Sequence, residues 1–564
     1  MKKLINDPLH VVREMLEGVV MLAPGQVLLA DETVVVRAGL PAAAERIVAI
    51  ISGGGSGHEP AHAGYVGEGM LTAAVAGDVF TSPSSDAVLA AIRASAGPAG
   101  AVLIVKNYTG DRLNFGLAAE MARAEGIPVE VVVVADDVAL RGTVEEARRR
   151  GIAGTVLVHK LAGAAAQSGR SLAEVAAVAR EAAADLGSMG VALGSCTLPA
   201  VGRPSFTLEA DEIELGLGIH GEPGVKKARA TTSSALVDTL LSAILDDRGL
   251  GAGARVALLV NGLGATPPME LAVVTRDALR RLEVAGIMVE RAWSGTFLSA
   301  LDMPGFSLSL LRLNDDRISL LDAAAAAPAW PGQGRVNRIP ILAAPNTPNG
   351  GEVNTGDDAT SSPLRAAAWA AAQVMIDREA ELTDLDAKAG DGDLGSSMAR
   401  AAHAVMALPA SAWSTPDTAL NSLGHALRRA IGGSSGPFYA TALMRASRHL
   451  SSVERPAPKD WAAAFGKAVD AVSELGGAQV GDRTMVDALR PAADVFRKAL
   501  DAGRTSAEAW GSAVDAARAG RDATGAMQPR LGRASYLGDR AKGIPDAGAA
   551  AVACWIEALT PHIR

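Results

Sequence analysis

The first part of the chain alternates between two hydrophobic patterns. Short apolar runs rich in β-branched residues predict strands, and the longer stretches between them carry apolar residues at helical spacing. The alternation extends to about Leu313 and predicts α/β sheets whose strands are buried on both faces. The predicted strands are Ile47–Ile51, Ala101–Val105, Val129–Val134, Thr155–Val158, Arg255–Val260 and Ile287–Glu290, and the predicted helices are Phe115–Glu125, Leu172–Leu186, Ala235–Asp247 and Met269–Ala285.

From about Ser362 the pattern is that of helices alone. No run of strand type follows, and Leu364, Ala368, Ala371 and Met375 recur at helical spacing. Further Ala-rich segments follow, divided by Gly, Pro and Ser. This pattern predicts an all-α domain of about eight helices.

Between these parts lies a stretch of linker composition. Residues 329–334 read Ala-Trp-Pro-Gly-Gln-Gly, and residues 345–351 read Pro-Asn-Thr-Pro-Asn-Gly-Gly. Such a density of Pro, Gly and Asn favours turns and loops over regular elements. We therefore predict an α/β domain over residues 1–330, a linker over 331–363 and an all-α domain over 364–564.

Composition and charge exclude several classes of protein. Of 564 residues, 49% are hydrophobic and 20% are charged, a balance that excludes intrinsic disorder. The net charge of −9 and the lack of a basic stripe argue against nucleic acid as a partner. The longest apolar runs are far shorter than the roughly 18 residues of a membrane span, so we expect no membrane partner.

The N-terminus and the cysteines favour a cytoplasmic location. The first residues are positively charged but have no apolar core of the kind that a signal peptide needs. Cys196 and Cys554 are too few for a disulfide framework or a cysteine-based zinc site, which points to a reducing compartment.

Three short motifs match known signatures but lie in the wrong context. His58-Glu-Pro-Ala-His62 has the spacing of a zinc protease, but Pro60 and the preceding glycines do not suit the helix that this site needs. Gly216–Gly221 matches a dinucleotide-binding fingerprint, but we expect neither a strand before it nor a helix inside it. Gly432–Gly436 matches a nucleophile elbow, but a predicted helix precedes it, and phosphate binding by its backbone N–H groups fits better.

Three carboxylates fall within eight residues of the helical part. They are Asp386, Asp391 and Asp393, and glycines between them let the loop curl. Aspartate oxygens suit Mg²⁺, which usually binds substrate phosphates as well; the alternative is a solvated acidic turn. Five glycine-rich turns could complete a phosphate pocket, although each could equally be a helix cap: residues 432–436, 476–477, 481–485, 532–536 and 546–548.

Polar residues also follow two predicted strands of the first part. The strand Ile47–Ile51 runs into the glycine-rich loop Ser52–His58, and Ala101–Val105 runs into a loop that carries Lys106 and Asp111. His220 lies in another glycine turn. Loops after the strands of an α/β sheet line its ligand crevice, although for any one of these residues a structural role is as plausible as a catalytic one.

At these residues the chain resembles the ATP-dependent dihydroxyacetone kinase family, over nearly its whole length. The resemblance implies an N-terminal K domain of two α/β subdomains that binds the substrate. It also implies a C-terminal L domain, a barrel of eight antiparallel helices that holds ATP and Mg²⁺, and a homodimer in which each nucleotide domain serves the partner's substrate domain. The motifs that carry it are Ser52–Gly64, Gly216–Gly224 around His220, Asp386 with Asp391 and Asp393, Gly481–Met485 and Gly532–Tyr536.

By position, the resemblance implies a role for each motif residue. His220 matches the histidine that adds covalently to the substrate carbonyl as a hemiaminal, and His58 and Asp111 match the acid/base pair at the hydroxyl. The substrate-binding positions are Gly55, Ser56, Gly57, His58, Lys106 and Asp111, and the Mg²⁺ ligands are Asp386, Asp391 and Asp393. The nucleotide-contact positions are Leu394, Gly395, Ser396, Ser397, Ser434, Ser435, Gly476, Thr484, Met485, Arg533, Asp546, Ala547 and Gly548.

The resemblance implies a kinase that transfers phosphate from ATP to the terminal hydroxyl of dihydroxyacetone or of a four-carbon ketose such as erythrulose. Two alternatives stay open: FAD-AMP lyase (FMN cyclase) activity in the same ATP site, as in animal relatives, and a relative supplied by a phosphotransferase system. The fusion of both domains in one chain favours ATP exchange over the latter. Leu394 departs from relatives that carry a polar residue such as His there, which could alter nucleotide packing.

Overall fold

The structure is a computed structural model that describes residues 3–222, 224–337, 341, 362–453, 455–536 and 538–563. The chain forms two compact units, Met1–Leu342 and Ala343–Arg564. Most of the predicted linker 331–363 lies outside the described residues, so the three predicted segment boundaries stay predictions. Within the described ranges, no helix is both long enough and apolar enough to cross a membrane.

The first unit combines strands and helices as the alternating pattern predicts. Its strands are β1 (Gln26–Leu28), β2 (Val34–Arg37), β3 (Ala49–Ser56), β4 (Ala73–Val79), β5 (Ala101–Lys106), β6 (Val129–Val134), β7 (Leu186–Ala192), β8 (Glu212–Leu215), β9 (Lys226–Arg229), β10 (Arg255–Gly262), β11 (Met288–Gly295) and β12 (Gly305–Arg312). Its helices are α1 (Val11–Met21), α2 (Ser85–Ser95), α3 (Thr109–Ala124), α4 (Thr155–Gln167), α5 (Leu172–Ala184), α6 (Ser233–Arg248), α7 (Pro268–Val284) and α8 (Asp315–Asp322).

These strands form two six-stranded sheets. The first has the order β1-β2-β4-β3-β5-β6, with β4, β3, β5 and β6 parallel to one another. The second has the order β11-β10-β12-β7-β8-β9, in which only β10 and β11 are parallel neighbours. Because β3 and β5 are adjacent and parallel, their carboxyl ends lie side by side, and two of the loops with candidate residues start there.

Alternate residues of the strands face different cores, as expected for strands buried on both faces. In β3, Ala49 and Ile51 belong to the core formed with α2 and α3, whereas Ile50 belongs to a second core that includes α4 and α5. In β10, Leu258 faces α6 and α7, whereas Leu259 joins the same second core as Ile50. This second core is therefore shared by both sheets, with α4 inside it and one face of α5 packed against it.

The predicted strand Thr155–Val158 is wrong, because these residues form the first turn of α4. Every residue from Thr155 to Ala166 is buried in the core that both sheets share. A helix buried on all sides has no polar face, so its sequence lacks the helical period and resembles a buried strand. Just before the helix, the Asp136 carboxylate accepts the N–H groups of Ile152 (2.7 Å) and Gly154 (3.1 Å), and negative charge there stabilises a helix N-terminus.

A second expectation is also corrected: a strand does precede Gly216. Strand β8 ends at Leu215 and pairs antiparallel with β9, so the segment that joins them is the turn of a hairpin. No helix begins at the residues of this turn that the structure describes, which are 216–222, 224 and 225. The rejection of the dinucleotide fingerprint therefore stands, but on the missing helix alone.

The second unit is helical throughout the residues that the structure describes. One helix more than the predicted eight is present there, because the chain bends at Arg378 and divides the first helical stretch in two. Residues 432–434 lie in a turn between helices, as predicted. The predicted fold class, an α/β domain of two subdomains followed by an all-α domain, is confirmed. The helices are α9 (Pro363–Asp377), α10 (Glu379–Ala389), α11 (Leu394–Met406), α12 (Pro416–Ala430), α13 (Ser435–Leu450), α14 (Pro458–Gly476), α15 (Val486–Asp501), α16 (Ser506–Thr524) and α17 (Ala547–Ala558).

Candidate functional site

The ends of β3 and β5 bring three predicted residues together in the first unit. Lys106 ends β5, Asp111 lies in the first turn of α3, and the glycines 53–55 lie at the end of β3. A Cβ atom added to Gly54 would lie 2.5 Å from Lys106 Nζ and 3.5 Å from Asp111 Oδ2. The glycine is therefore what lets the ammonium and the carboxylate approach the strand this closely.

Lys106 is fully buried and held by acceptors. Its Nζ donates to the Gly53 carbonyl (3.1 Å) and to Nε2 of His62 (2.6 Å). Burial lowers the pKa of Lys106, and the Asp111 carboxylate partly opposes that shift. Asp111 is 2% exposed, and its Oδ1 has no hydrogen-bond partner among the described residues. An acceptor atom without a partner in a buried site is a candidate for contact with substrate.

His58 presents one ring nitrogen without a partner. Its Nδ1 bonds to the Ser299 carbonyl at 2.9 Å, so the ring proton resides there, and Nε2 has no hydrogen-bond partner within the described part of the chain. Burial lowers the pKa of His58 well below its usual value, and the nearby His220 and Lys106 lower it further. His58 is therefore a neutral imidazole whose Nε2 lone pair can accept a proton.

His220 lies in the β8–β9 turn, and three rings enclose its imidazole. The ring centroids of Tyr108, His58 and Phe80 lie 4.5, 4.9 and 5.3 Å from that of His220. Burial lowers the pKa of His220, although the Glu222 carboxylate opposes the shift. The structure thus places His220 beside His58, with Lys106 and Asp111 close enough to influence it electrostatically, as the sequence predicted for one pocket.

The glycine-rich segment predicted as the loop Ser52–His58 continues strand β3 as far as Ser56 and becomes a loop only after it, and its polar groups have internal partners. The Ser56 hydroxyl donates to the Gly77 carbonyl (2.7 Å), and the Gly57 N–H donates to the Glu59 carboxylate (3.0 Å). At Gly55 a Cβ atom would lie 2.6 Å from the Thr81 amide nitrogen, so only glycine fits between the strand and this backbone. These predicted substrate positions therefore also hold the loop in shape.

Sequence reasoning missed residues that shape this pocket. Phe80 stacks on His58 at 5.1 Å, although a bulky residue rarely adopts its φ of +58°. Tyr108 lies two residues after the predicted Lys106, and Glu222 lies two residues after His220. Their closeness to these predicted residues was the one feature of the sequence that could have indicated them. Phe80 had no such signal, because it reaches the pocket from the end of β4.

The residues of the H-E-x-x-H motif do not form a zinc site. Residues 58–62 form a bend and turn rather than a helix, and His62 bonds Lys106 while His58 bonds the Ser299 carbonyl. The two histidines therefore serve different partners. The rejection of the zinc protease reading is confirmed.

In the second unit, the three predicted metal ligands do come together. Ligand oxygens of Asp386, Asp391 and Asp393 all lie within 4.8 Å of one another. The loop curls onto Asp386, whose Oδ2 accepts the N–H groups of Asp393 (3.0 Å) and Leu394 (3.2 Å). A donor set made only of carboxylate oxygens fits Mg²⁺.

The predicted nucleotide contacts lie mostly at the N-terminal ends of helices. Leu394–Ser397 form the first turn of α11, Ser434 and Ser435 begin α13, and Thr484 and Met485 precede α15. Asp546–Gly548 begin α17, where a Cβ atom on Gly548 would lie 3.6 Å from Met485 Cβ. Helix N-termini carry partial positive charge and unpaired N–H groups, which suits phosphate oxygens.

Gly476 and Arg533 are predicted nucleotide contacts that do not lie at these helix N-termini. Gly476 ends α14 and faces α13, since a Cβ atom there would lie 2.9 Å from the Phe438 ring. Arg533 begins a short 3₁₀ helix, but its side chain lies outside the described residues, so its predicted phosphate contact stays a prediction.

A buried charged cluster supports the 481–485 loop and was not foreseen. Asp487 accepts the N–H groups of Gly481 (2.6 Å) and Thr484 (2.7 Å), and it is 1% exposed. The buried Arg483 donates to the carbonyls of Ala541 (3.2 Å) and Ile544 (2.8 Å). Burial raises the pKa of Asp546 to about 6; Arg483 opposes that shift, whereas Asp487 and Asp386 reinforce it. These three charged groups are therefore close enough to act on Asp546.

Comparison with known domain families agrees with this division into two sites. Residues 17–329 match the Dak1 domain, and residues 388–561 match the DAK2 domain. The pocket around His220 lies within the first match, and all predicted nucleotide-contact positions lie within the second.

Comparison with individual proteins covers almost the whole chain. A Bos taurus protein named "Triokinase/FMN cyclase" is 41% identical, over 99% of this chain and 98% of its own length. A Mycolicibacterium smegmatis protein named "D-erythrulose kinase" is 37% identical, over 98% of this chain and 97% of its own length. A crystal structure of the C. freundii dihydroxyacetone kinase in complex with AMP-PNP and Mg²⁺ aligns with a TM-score of 0.62 and 35% identity, over 99% of both chains.

Proposed function

The chain belongs to the family of ATP-dependent dihydroxyacetone kinases, and we propose that it phosphorylates the terminal hydroxyl of a short-chain ketose. The observation that carries the proposal is the set of buried groups around one half-buried imidazole. His58, Lys106 and Asp111 supply a proton acceptor, a cation and a carboxylate beside His220. Few functions other than carbonyl and hydroxyl chemistry call for this combination in one small pocket.

The first proposed step attaches the ketose to His220. A lone pair on one nitrogen of the neutral ring forms a C–N bond to the carbonyl carbon, and the carbonyl π pair moves to its oxygen. The ring gives up its other N–H proton and the oxygen gains one, so the adduct is a hemiaminal with no net proton change. The adduct would orient the substrate and reject glycerol, which has no carbonyl.

The second proposed step transfers the phosphoryl group. The terminal hydroxyl oxygen attacks the γ-phosphorus, the bond to the bridging oxygen breaks, and ADP leaves. His58 Nε2 and Asp111 Oδ1 are the proposed acceptors for the hydroxyl proton, because each is buried without a hydrogen-bond partner among the described residues. Lys106 would bind a substrate oxygen in addition to its internal acceptors.

We propose that the second unit binds ATP. Its helix N-termini and Ser434–Ser435 turn suit the phosphates. Asp386, Asp391 and Asp393 fit Mg²⁺, which would neutralise phosphate charge when bound. For the C. freundii relative, the bound nucleotide analogue and Mg²⁺ support this assignment.

A second candidate activity is FAD cleavage to a cyclic flavin phosphate in the same ATP site. It rests on the name of the Bos taurus relative, which joins triokinase with FMN cyclase. Formation of the cyclic product from FAD would support it. A relative supplied by a phosphotransferase system is the weaker alternative, because this chain carries both domains, which favours exchange of ATP for ADP during turnover.

The experiment that tests the kinase proposal is ADP release with Mg·ATP against a substrate panel. The panel contains dihydroxyacetone, D- and L-erythrulose, glyceraldehyde and glycerol, with kcat/KM for each. We expect one ketose to exceed glycerol by orders of magnitude, which would also decide between three and four carbons. No turnover of any ketose would refute the proposal and leave FAD cleavage to be tested.

We further propose a cytoplasmic homodimer in which each nucleotide domain serves the partner's ketose pocket. Coexpression of the His220→Ala and Asp391→Asn chains tests this arrangement. If the sites work in trans, the mixture should recover about a quarter of the wild-type rate, because half the dimers are mixed and each has one intact pairing. If each subunit uses its own nucleotide domain, the mixture should stay inactive.

A further inference from the structure

We propose that Arg150 and Glu222 are positioning residues for His220. The two side chains hold the β8–β9 turn closed, and their opposite charges balance each other beside the imidazole. Neither Arg150 nor Glu222 is one of the substrate contacts proposed above. The inference rests on the proposed function, since it concerns the ketose adduct of His220. According to this inference, the charges of Arg150 and Glu222 set the pH range over which the adduct forms.

The Glu222 carboxylate closes the turn from inside. Its Oε2 accepts the backbone N–H of His220 at 2.9 Å, and its Oε1 lies 3.4 Å from the Arg150 guanidinium. A Cβ atom at Gly218 would lie 1.7 Å from Oε1, so the turn has glycine where the carboxylate needs the space. The side chain is therefore built into the turn rather than lying on its surface.

Arg150 ties this turn to the end of strand β6. Its guanidinium bonds to the buried Asp137 carboxylate (2.7 Å) and donates to the Gly216 carbonyl (2.8 Å). The other oxygen of Asp137 accepts the Ala139 N–H at 3.0 Å. Arg150 thus contacts both the first residue of the turn and the carboxylate that closes it. A planar guanidinium group with several N–H donors is suited to bridging two acceptors in this way.

The charges also act on the imidazole. The groups that influence or face His220 are Glu222, Asp111, Lys106, Arg150, His58, Tyr108 and Phe80. Glu222 raises the pKa of His220, and Arg150 lowers it. Without a compensating positive charge, the Glu222 carboxylate would favour the protonated imidazole, which has no lone pair to attack the ketose. Arg150 offsets this effect, so the turn can keep Glu222 while the His220 ring stays neutral.

Opposite single substitutions test this balance. Arg150→Gln removes the positive charge, and Glu222→Gln removes the negative charge while keeping an oxygen that accepts the His220 N–H. The matched control is Arg93→Gln, which removes the same charge from an exposed pair with Glu125. The readout is the fraction of 2-¹³C-dihydroxyacetone held as hemiaminal by the full-length protein without ATP, followed by ¹³C NMR from pH 8 to pH 5, with circular dichroism at each pH.

We expect the midpoint pH for loss of the adduct to rise by about one pH unit in Arg150→Gln and to fall by a similar amount in Glu222→Gln. The double variant should return near the wild-type midpoint, and Arg93→Gln should not move it. A merely structural role would weaken the adduct in both single variants without opposite shifts. If Arg150→Gln does not fold, Arg150→Lys should keep the wild-type midpoint while weakening the adduct, and Glu222→Gln still supplies the shift.

The inference is overturned if the wild type forms the adduct but the midpoints of the single variants stay unchanged or move in the same direction. Absence of any adduct in the wild type at every pH would instead refute the proposed function, and this inference with it. The two failures are therefore distinguishable in one experiment.

Discussion

The imidazoles of the pocket around His220 owe their neutral form mainly to burial. His58 is fully buried and His220 half-buried, and desolvation is the largest cause of the lowered pKa in each ring. A neutral ring keeps one lone pair, which a nucleophile or a proton acceptor needs. Phe80 and Tyr108 enclose the His220 ring and thereby restrict the direction in which its nitrogens face a ligand.

The substitution His220→Ala should abolish the ketose adduct and lower kcat/KM by at least about 100-fold, since the covalent link supplies orientation. Adduct is measured by mass spectrometry and ¹³C NMR, and turnover by ADP release. The exposed His10→Ala is the matched control and should behave as wild type. An adduct that persists in His220→Ala would refute the assignment of this residue.

The substitution Asp391→Asn should lower Mg²⁺-dependent turnover by at least about 100-fold, because an amide lacks the negative charge that holds the metal. A Mg²⁺ titration of ADP release gives both the maximal rate and the metal requirement. Asp384→Asn removes an exposed carboxylate that pairs with Lys388 outside the cluster, and it should have little effect. Unchanged kinetics in Asp391→Asn would reject Asp391 as a ligand.

At the scale of elements, helix α4 is buried along almost its whole length. It lies in the core shared by both sheets, and Gly163 marks its closest approach to another segment. A Cβ atom there would lie 2.4 Å from the Met70 Cα, which is backbone and cannot move aside as a side chain could. By contrast, Gly116 in α3 has no atom within 4 Å of its Cβ position among those described.

Gly163→Ala should destabilise the protein by about 1–3 kcal/mol through overpacking. Gly116→Ala should stabilise it by about 0.5–1 kcal/mol, since alanine favours a helix interior over glycine. Urea unfolding of both variants and the wild type measures the difference. Equal effects of the two substitutions would contradict the proposed close approach at Gly163.

At the scale of the whole molecule, each compact unit has cores of its own. The first unit has cores on both faces of its two sheets, and the second has helix–helix cores, as expected for domains that fold as separate units.

Residues 1–335 should therefore fold alone and form the ketose adduct without hydrolysing ATP. Circular dichroism and thermal unfolding test folding, ¹³C NMR tests the adduct, and ADP release tests hydrolysis. The full-length chain is the control for adduct yield. An insoluble or unfolded fragment would count against the predicted boundary.

The stability of the first unit should fall as the pH drops below about 6.5. Burial lowers the pKa of His159 to about 3 and depresses that of His62, so the folded state keeps both rings neutral while the unfolded chain gains protons. This contribution to stability is fully present above the pKa that these histidines have in the unfolded chain. It is lost progressively as the pH falls from there toward their lower pKa in the folded protein.

Thermal unfolding between pH 7.5 and pH 5 should show Tm falling by several degrees. The variant His159→Gln can still donate to its partner Ser52 but does not titrate, so its Tm should depend less on pH. A wild-type Tm that is constant over this range would contradict the prediction.

Local sequence patterns were enough to predict the fold class and the motifs that carry the chemistry. A strand buried on both faces needs a short continuous run of apolar, mostly β-branched residues, so β5, β6 and β10 could be predicted from the chain. The three aspartates were also predictable, because they lie within one short loop and local spacing fixes their approach.

Features that depend on contacts between distant segments could not be predicted from local patterns and became known from the folded chain. Helix α4 could not be told from a strand, because burial on every side removes the periodic signal. Phe80, Ser299 and Arg150 reach the pocket from segments distant in sequence, and no local pattern marks such residues. Whether an imidazole is neutral, and which carboxylate or arginine faces it, follows from burial and three-dimensional packing rather than from spacing along the chain.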